Sequence, residues 1–377
     1  MRVLFVGNVF SNNELRYNVA ANQAAHKWNK SFTDALLKNN VHVETLSFKP
    51  SRVWPRAAFH VKSSRDSFTS KLRVITVDYW NVPVLRNLSI FFGFLWKQLF
   101  VLKLNSIDVI FFYNLYPWNR YFMKYLTLFK FRPKLVPIIL DNDDPRIDAW
   151  TTFNAHSRGA DGLAFLSYWG FENYIGNIPK VHFYGGIDFI DNERKPQRSS
   201  GKLKVLYSGK FERRYGGLEG LLQIIDMLDK DKFEVILTGK LGVESEDIFR
   251  DIECSYYGFL DEEALISLAC DVDIFLNYRP LNISDNVMVF PSKLLFYLSF
   301  GKTVISTYTL GIHPELENNV YLIAEDDPAL YIEALNFVHD KINQNDIIEE
   351  PSKAILSDTS WLWENKITNL INFVSGL

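Results

Sequence analysis

Short apolar runs rich in Val, Ile and Phe recur along the chain, separated by longer stretches in which apolar residues have helical spacing. The first half contains RVLFVG, VHVETLSF, LRVITV, DVIFFYN, KLVPIIL, GLAFLS and KVHFYG, and the second contains KVLYSG, FEVILTG, CSYYGFL, VDIFLNY, KTVIST and VYLIA. Strand-length runs alternating with helical segments predict parallel sheets covered by helices, so the fold class is α/β. Because the pattern occurs twice, it predicts two Rossmann-like domains with parallel sheets facing across a cleft, ligands lying at the C-terminal ends of the strands. The polar, breaker-rich stretch DNERKPQRSSGK, residues 191–202, separates the halves. The expected division is a first domain at 1–188, a linker at 189–202, a second domain at 203–352 and a C-terminal segment at 353–377. That last segment has helical spacing around Trp361 and Trp363 and could pack across both domains.

Composition agrees with this division. The chain has 377 residues, 47% of them apolar and 15% aromatic, which is more than one ordinary core accommodates. The two cysteines, Cys254 and Cys270, lie beside apolar runs and read as reduced core thiols of a cytoplasmic protein, and no metal site is expected. MRVLFVGNVF is too short an apolar run for a signal peptide and reads as the first buried strand. VLRNLSIFFGFLWKQLFVLKLN, from Val84, is interrupted by Arg86, Lys97 and Lys103 and reads as an amphipathic helix rather than a membrane span.

Charge is distributed unevenly. Residues 1–180 hold 23 Lys and Arg against 12 Asp and Glu, or +11, and the remainder hold 18 against 32, or −14. Residues 48–74 carry seven Lys and Arg and a single acid, Asp66. Arg52, Arg56, Lys62 and Arg65, mixed with Trp54 and Phe59, suit an anionic membrane surface or a lipid-linked phosphate, or else form a merely solvated loop. No recognition motif for nucleic acid accompanies them.

The strand ends hold the candidate chemistry. After KVLYS comes GKFERRYGGLEGLLQII, where Gly209 allows a tight turn, Lys210, Arg213 and Arg214 bring positive charge, and Gly216 and Gly217 lead into a helix. Flexible backbone, a helix start and cations together make a diphosphate-binding arrangement. VDIFLNY runs on to Arg279 and then to FPSK, which contains Ser292 and Lys293. Pro291 suits the first position of the helix that follows, and Gly301 the left-handed residue beyond its end. Lys293 thus stands at the positive end of an apolar helix, where a cation is disfavoured. Either it reaches solvent or pairs with Asp285, or it faces an anion absent from the sequence. Tyr257 and Leu260, in CSYYGFLDEEAL, could wall a base pocket or belong to the core.

These residues resemble a known family. SGKFERRYGGLEGLL is similar to the glycine-basic loop of GT-B-fold glycosyltransferases of the family 4 type, and FPSKLLFYLSFGKTVIST to their helix of the form FPSKLxEYLAxGKPVIS. The resemblance covers most of residues 160–325, including ADGLAFLS, the GGID at 185–188, EVILTGK and YYGFLDEEALISLACDVDIFLN. It implies a nucleotide-sugar donor in the second domain. The chain departs from the pattern at the glutamate that holds the donor ribose, where Phe296 stands, and at that motif's upstream acidic partner, where Met288 stands. SKLLFYLSFG is also similar to the matching helix of the xanthan-pathway glucuronosyltransferase, family 70, an inverting enzyme that lacks this glutamate and uses the lysine for its donor. By that resemblance Lys293 contacts the donor diphosphate or a sugar carboxylate.

An inverting transfer needs a base on the acceptor side, and LDNDDPR offers Asp141, Asp143 and Asp144 after the strand KLVPIIL, with Arg146 to orient them. Helix capping and turn formation before Pro145 is the competing reading. A retaining enzyme would place Tyr113 or Asn114 nearer the sugar, and His26 reads as a surface residue of a helix. The expectation is a cytoplasmic, membrane-peripheral glycosyltransferase of the hexosyltransferase type, acting in cell-surface or exopolysaccharide synthesis. It would use a UDP-sugar without metal or further cofactor and a lipid-linked glycan acceptor at the inner face of the membrane. The alternatives are a catalytically silent subunit that binds a glycan or a partner glycosyltransferase, and a sugar-nucleotide epimerase.

Overall fold

A computed structural model describes residues 1–9, 23–62, 65–67, 72–140, 158–190, 201–211, 217–241, 246–249, 252–343 and 353–377. Strands in chain order are β1 (Arg2–Val6), β2 (His42–Phe48), β3 (His60–Val61), β4 (Arg65–Ser67), β5 (Leu72–Val77), β6 (Tyr79–Trp80), β7 (Val109–Tyr113), β8 (Lys134–Ile139), β9 (Leu163–Phe165), β10 (Lys180–His182), β11 (Leu203–Phe211), β12 (Phe233–Leu241), β13 (Ser255–Tyr256), β14 (Ile274–Asn277), β15 (Thr303–Thr307) and β16 (Tyr321–Ile323). Helices are α1 (Gln23–Lys38), α2 (Leu85–Phe100), α3 (Pro117–Leu126), α4 (Tyr168–Asn173), α5 (Leu218–Met227), α6 (Glu262–Cys270), α7 (Ser284–Met288), α8 (Lys293–Leu298), α9 (Pro314–Glu317), α10 (Pro328–Asn343), α11 (Lys353–Ser357) and α12 (Trp363–Gly376).

The chain divides into two compact units, one of 1–186 with 363–377 and one of 187–362. Residues 353–362 therefore stay with the second unit, and α12 belongs to the first. There its backbone carbonyl at Glu364 accepts from Asn39 Nδ2 at 2.8 Å, and Trp363 packs edge-on to Trp28 of α1. Among the described residues the first unit's sheet has the order β10-β9-β8-β7-β1-β2-β5-β4, and the second's is β13-β12-β11-β14-β15-β16. All pairs in the second sheet are parallel, as are all in the first except β4 with β5. That antiparallel edge and the small β3/β6 ribbon are not predicted from the sequence, because HV, RDS and YW form no apolar run of their own.

The central strands are apolar throughout because helices cover both of their faces. In the second unit Val205, Tyr207, Leu237, Ile274 and Ile305 pack against Leu221, Ile225, Tyr331 and Leu335. In the first, α2 presses Ile90 and Phe94 onto Ile75, Val77 and Phe112, and α3 adds Phe122. Two expectations about helices are corrected here. His26, expected at the surface, is buried, because it shares the i, i+3 register of α1 with Asn29 and Thr33, both also buried. Helix α2 does form, but its outward side is not polar: Phe92 and Trp96 are exposed.

The two sides of α2 should respond differently to truncation. Phe94→Ala, which opens a void against Trp118 and Phe122, is expected to lower the urea-unfolding free energy by ~3–5 kcal/mol. Phe92→Ala should change it by no more than about 0.5 kcal/mol. Equal losses would mean that Phe92 is held by a core contact.

Candidate functional site

Strands β11 and β12 end side by side, in register from Leu203 opposite Phe233 to Gly209 opposite Gly239 and Lys210 opposite Lys240. The backbones come very close at the glycines. Gly239 has φ +139°, and a Cβ there would drive into the carbonyl oxygen of Gly209, so only glycine fits. The chain then passes the loop at Tyr257 and Leu260. Gly258 accepts from the Gly239 N–H at 2.8 Å and from Thr238 Oγ1 at 2.7 Å, which holds that loop against the end of β12.

Helix α8 closes the site from above β11. It begins at Lys293, with exposed Ser292 as its N-cap, and Pro291 lies before the cap rather than at the first helical position. Pro291 instead accepts the Leu294 N–H through its carbonyl at 2.9 Å. Gly301, at φ 60°, is the left-handed residue expected after the helix. Lys293 and Tyr297 are one turn apart and share a face. The Tyr297 hydroxyl accepts from the Ser208 N–H at 3.1 Å and lies 3.4 Å from the Ser208 carbonyl, while its ring stacks on Phe275 at 4.6 Å. Lys293 is thereby laid over the end of the strand. Its Nζ lies 5.2 Å from the centre of the Tyr207 ring and 2.7 Å from where a Cβ on residue 209 would be.

The electrostatics of this lysine set it apart. Burial holds its ammonium down to a pKa of about 7, and the Arg279 guanidinium nearby adds to the shift. Burial likewise pushes the Tyr207 hydroxyl up to about 12. Among the described residues Lys293 Nζ has no hydrogen-bond or ion-pair partner. Lys302, just past the same helix, is as buried as a core residue and donates to the carbonyls of Ala269, Cys270 and Val272 at 2.6–2.9 Å. The fold therefore satisfies the structural lysine in full, whereas among the described residues the rim lysine has no acceptor.

The remaining sequence-predicted residues are distributed as follows. Arg279, half-buried, leaves β14 with its N–H on Thr307 Oγ1 at 2.8 Å, and is brought together with Lys293 and Tyr207. Lys210 is exposed at the end of β11, Tyr257 is exposed and Leu260 is half-buried. Arg213, Arg214 and Gly216 lie outside the described residues, as do Asp141, Asp143, Asp144 and Arg146. The side chains of Arg65 and Asp285 also lie outside them. Phe296 is half-buried, its ring 5.1 Å from that of Phe300, so the position packs and offers no acceptor. In the first unit Asn114 has φ 49°, and its carbonyl accepts from Asn119 Nδ2 at 3.0 Å at the end of β7. Lys240 is missed by the sequence reading, although TGK repeats the SGK of β11; its Nζ lies 4.7 Å from the Phe259 ring centre. Tyr207 is missed too, since it falls within the strand and reads as core. Among the described residues no cluster of His, Cys, Asp and Glu is placed to hold a metal ion, and no helix is long and apolar enough to cross a membrane.

No family model matches the chain. By sequence it is similar to an uncharacterized 41.2 kDa protein in the cps region of Klebsiella pneumoniae, 27% identical over 137 residues. Those residues are 36% of this chain and 32% of that protein, so the match spans about a third of the relative's length. Among solved structures it is similar to sucrose-phosphate synthase from Thermosynechococcus elongatus, with a TM-score of 0.69 and 12% identity over 100% of this chain and 99% of that one. Anabaena HepE in complex with UDP and glucose gives 0.65 and 13%, over 100% and 99% of the two chains. The lipopolysaccharide outer core galactosyltransferase WaaB, in its apo form, gives 0.65 and 13% over 100% of both. The α/β architecture with its two sheets is thus the GT-B fold of glycosyltransferases.

The lysine can be watched directly. In ¹³C-detected titration of labelled lysines, one resonance should titrate near pH 7 and vanish in Lys293→Met. Sulfate should move its midpoint up, because an anion favours the ammonium. Between that midpoint and the ordinary lysine value of 10.5, the unfolded chain keeps a proton that the folded one has lost, so stability from this group rises with pH. A midpoint near 10.5 would put Lys293 in solvent.

Proposed function

We propose that the chain is a glycosyltransferase that moves a sugar from a nucleoside diphosphate sugar to a glycan acceptor. The observation that carries this reading is half-buried Lys293, which has no hydrogen-bond or ion-pair partner among the described residues, beside Arg279 at the strand ends of the second unit. Fixed cations there would stabilise the leaving diphosphate by electrostatics already in place before reaction, with Lys210, Arg213 and Arg214 adding charge from the glycine-basic loop. UDP is the nucleotide favoured, in line with the UDP bound by HepE, which shares the fold. No cofactor or metal is required by this chemistry.

The finer reading follows the family 4 and family 70 resemblances. The first unit holds the acceptor, a lipid-linked glycan at the inner face of the membrane, and the role is in cell-surface or exopolysaccharide synthesis. WaaB, a galactosyltransferase of the lipopolysaccharide outer core, and the cps-region relative are in keeping with such a setting. Transfer proceeds with inversion. One of Asp141, Asp143 and Asp144 takes the acceptor hydroxyl proton as the oxygen attacks the anomeric carbon, and the nucleoside diphosphate leaves toward Lys293. With Phe296 in place of the ribose-binding glutamate, the ribose is held by other groups. That same substitution favours the second reading, a silent subunit that binds a glycan or a partner glycosyltransferase.

Calorimetric titration with UDP, GDP, ADP and TDP in EDTA tests the donor site. One nucleotide should bind, and Lys293→Ala should weaken it by ~1.5–3 kcal/mol, the range for a hydrogen bond to a charged group. No binding by any of the four would shift the reading to the silent subunit. For the acceptor side, Asp143→Asn and Asp144→Asn should each abolish or sharply reduce transfer while leaving nucleotide affinity nearly unchanged. Full activity in both would leave Asp141 or a retaining course.

A further inference from the structure

Helix α2 carries its apolar residues on both sides. Ile90 and Phe94 face the core, yet every exposed residue of the helix is also apolar: Leu85, Leu88, Phe92, Trp96, Leu99 and Phe100. Their spacing of three and four makes one continuous stripe. The stripe is well exposed, with Phe92 at 61%, Trp96 at 62%, Leu99 at 62% and Phe100 at 65%. The helix's polar side chains, Arg86 and Lys97 among them, lie half-buried along its flanks. A helix facing water has the reverse order.

A second feature adjoins it. The basic, aromatic loop after β2 is tied to the N-terminal half of α2: Arg86 Nη1 donates to the Ser51 carbonyl at 3.1 Å, and Ser89 Oγ both accepts from the Trp80 N–H at 3.1 Å and donates to the Trp80 carbonyl at 3.2 Å. Asn81 Nδ2 donates to the carbonyls of Arg52 and Ala58, at 2.6 and 3.0 Å. These bonds hold exposed Trp54, Phe59 and Trp80, with Arg52, Arg56 and Lys62, next to the stripe. On the other flank, Phe91 meets Tyr121 of α3 at 6.0 Å, and that helix exposes Arg120 and Lys124.

The charge around the stripe is mostly of one sign, although exposed Asp78 has its backbone against Gly93 of α2. Residues 48–62 and 79–134 contain twelve Lys and Arg against one acid, Asp108, which accepts from the Arg2 N–H at 2.7 Å. A second copy laid face to face would oppose cation to cation. An anionic bilayer instead offers hydrocarbon to the stripe and phosphate to its borders, with Trp at the boundary between them. Sixteen residues span roughly 24 Å of helix axis, short of the ~20 residues a crossing needs.

We propose that α2 lies in the plane of an anionic membrane surface, with Leu88, Phe92, Trp96 and Leu99 among the acyl chains and the loop at 51–62 among the headgroups. The inference takes only its setting, a membrane-bound acceptor, from the function proposed above. Its primary readout, vesicle binding, uses neither donor nor acceptor.

The whole chain is sedimented with vesicles of phosphatidylcholine alone and of phosphatidylcholine mixed with phosphatidylglycerol. Wild type should bind the mixed vesicles and bind neutral ones weakly. Phe92→Ser combined with Trp96→Ser should bind at least roughly tenfold more weakly, with unchanged circular dichroism and an unchanged nucleotide titration. Arg52→Gln combined with Arg56→Gln should lose binding chiefly at low salt. Equal binding of the α2 variant and wild type, or no vesicle binding by wild type, would overturn the proposal. So would light scattering that shows a wild-type dimer made monomeric by the α2 changes, since the stripe would then be covered by a second copy. Failure of nucleotide binding alongside intact, α2-dependent vesicle binding would remove the donor reading and leave this one standing.

Discussion

The hydroxyl of Tyr297 sets the geometry on which the second unit's rim depends. It meets both backbone groups of Ser208, at 3.1 and 3.4 Å, and so fixes α8 to β11 one residue before the strand reaches Gly209. Burial pushes this hydroxyl's pKa up, so it remains a neutral donor and acceptor at any physiological pH. One turn earlier on the same face, Lys293 has no choice of position. A glycine at 209 leaves room for its amine, and the Tyr207 ring lies beneath it. The arrangement holds the amine where burial disfavours its ammonium form, a cost to stability that a negative charge received there would offset.

The fold supports that rim through groups that take no part in it. Asp326 accepts from the Tyr278 hydroxyl at 2.8 Å and from the Leu281 N–H at 3.1 Å, which steadies the segment carrying Arg279. Thr307 bonds both backbone groups of Arg279 and meets the Tyr331 hydroxyl at 2.5 Å. Bonds from Asp326 and Thr307 to backbone hold the segment of Arg279 in place, and among the described residues no carboxylate contact neutralises Lys293. A structural carboxylate against it would have answered the same desolvation cost and closed the site to an anion.

How much of this was legible in the sequence depended on length and on direction. All thirteen apolar runs became strands, because a strand covered on both faces needs an unbroken apolar run and leaves that mark plainly. The antiparallel edge at β4 and the β3/β6 ribbon left none. In the site, Lys293, Arg279 and Gly209 were readable because a cation next to glycine or at an apolar helix start is locally out of place. Tyr207 was not, since an aromatic inside a strand looks the same whether it faces the core or a lysine. The run of α2 was read as helix correctly, but periodicity reports which positions are apolar and not what lies opposite them. Only the fold distinguishes Phe94, which meets Trp118 and Phe122, from Phe92, which faces outward. His26 went astray for the converse reason: a polar residue was assigned to solvent although its register placed it with Asn29 and Thr33.

The uneven charge acquires a physical meaning when set beside α2. An anionic surface attracts the basic residues that surround the apolar stripe and repels the acid-rich residues 181–377, which hold 18 Lys and Arg against 32 Asp and Glu. Attraction of the basic residues acts over about a Debye length of the surface, so electrostatics would draw this face of the first unit to the bilayer before any apolar residue is buried. The stripe would then supply the short-range part, which salt does not screen. The same acidic background makes the cations at the ends of β11, β12 and β14 a local exception rather than part of a general basic surface. A nucleoside diphosphate is small enough to be held by that exception, whereas an extended polyanion such as a bilayer would meet the surrounding acids first. If both proposals hold, one chain would keep two kinds of phosphate apart, a membrane's on the first unit and a nucleotide's on the second, through the scale on which each set of charges is gathered.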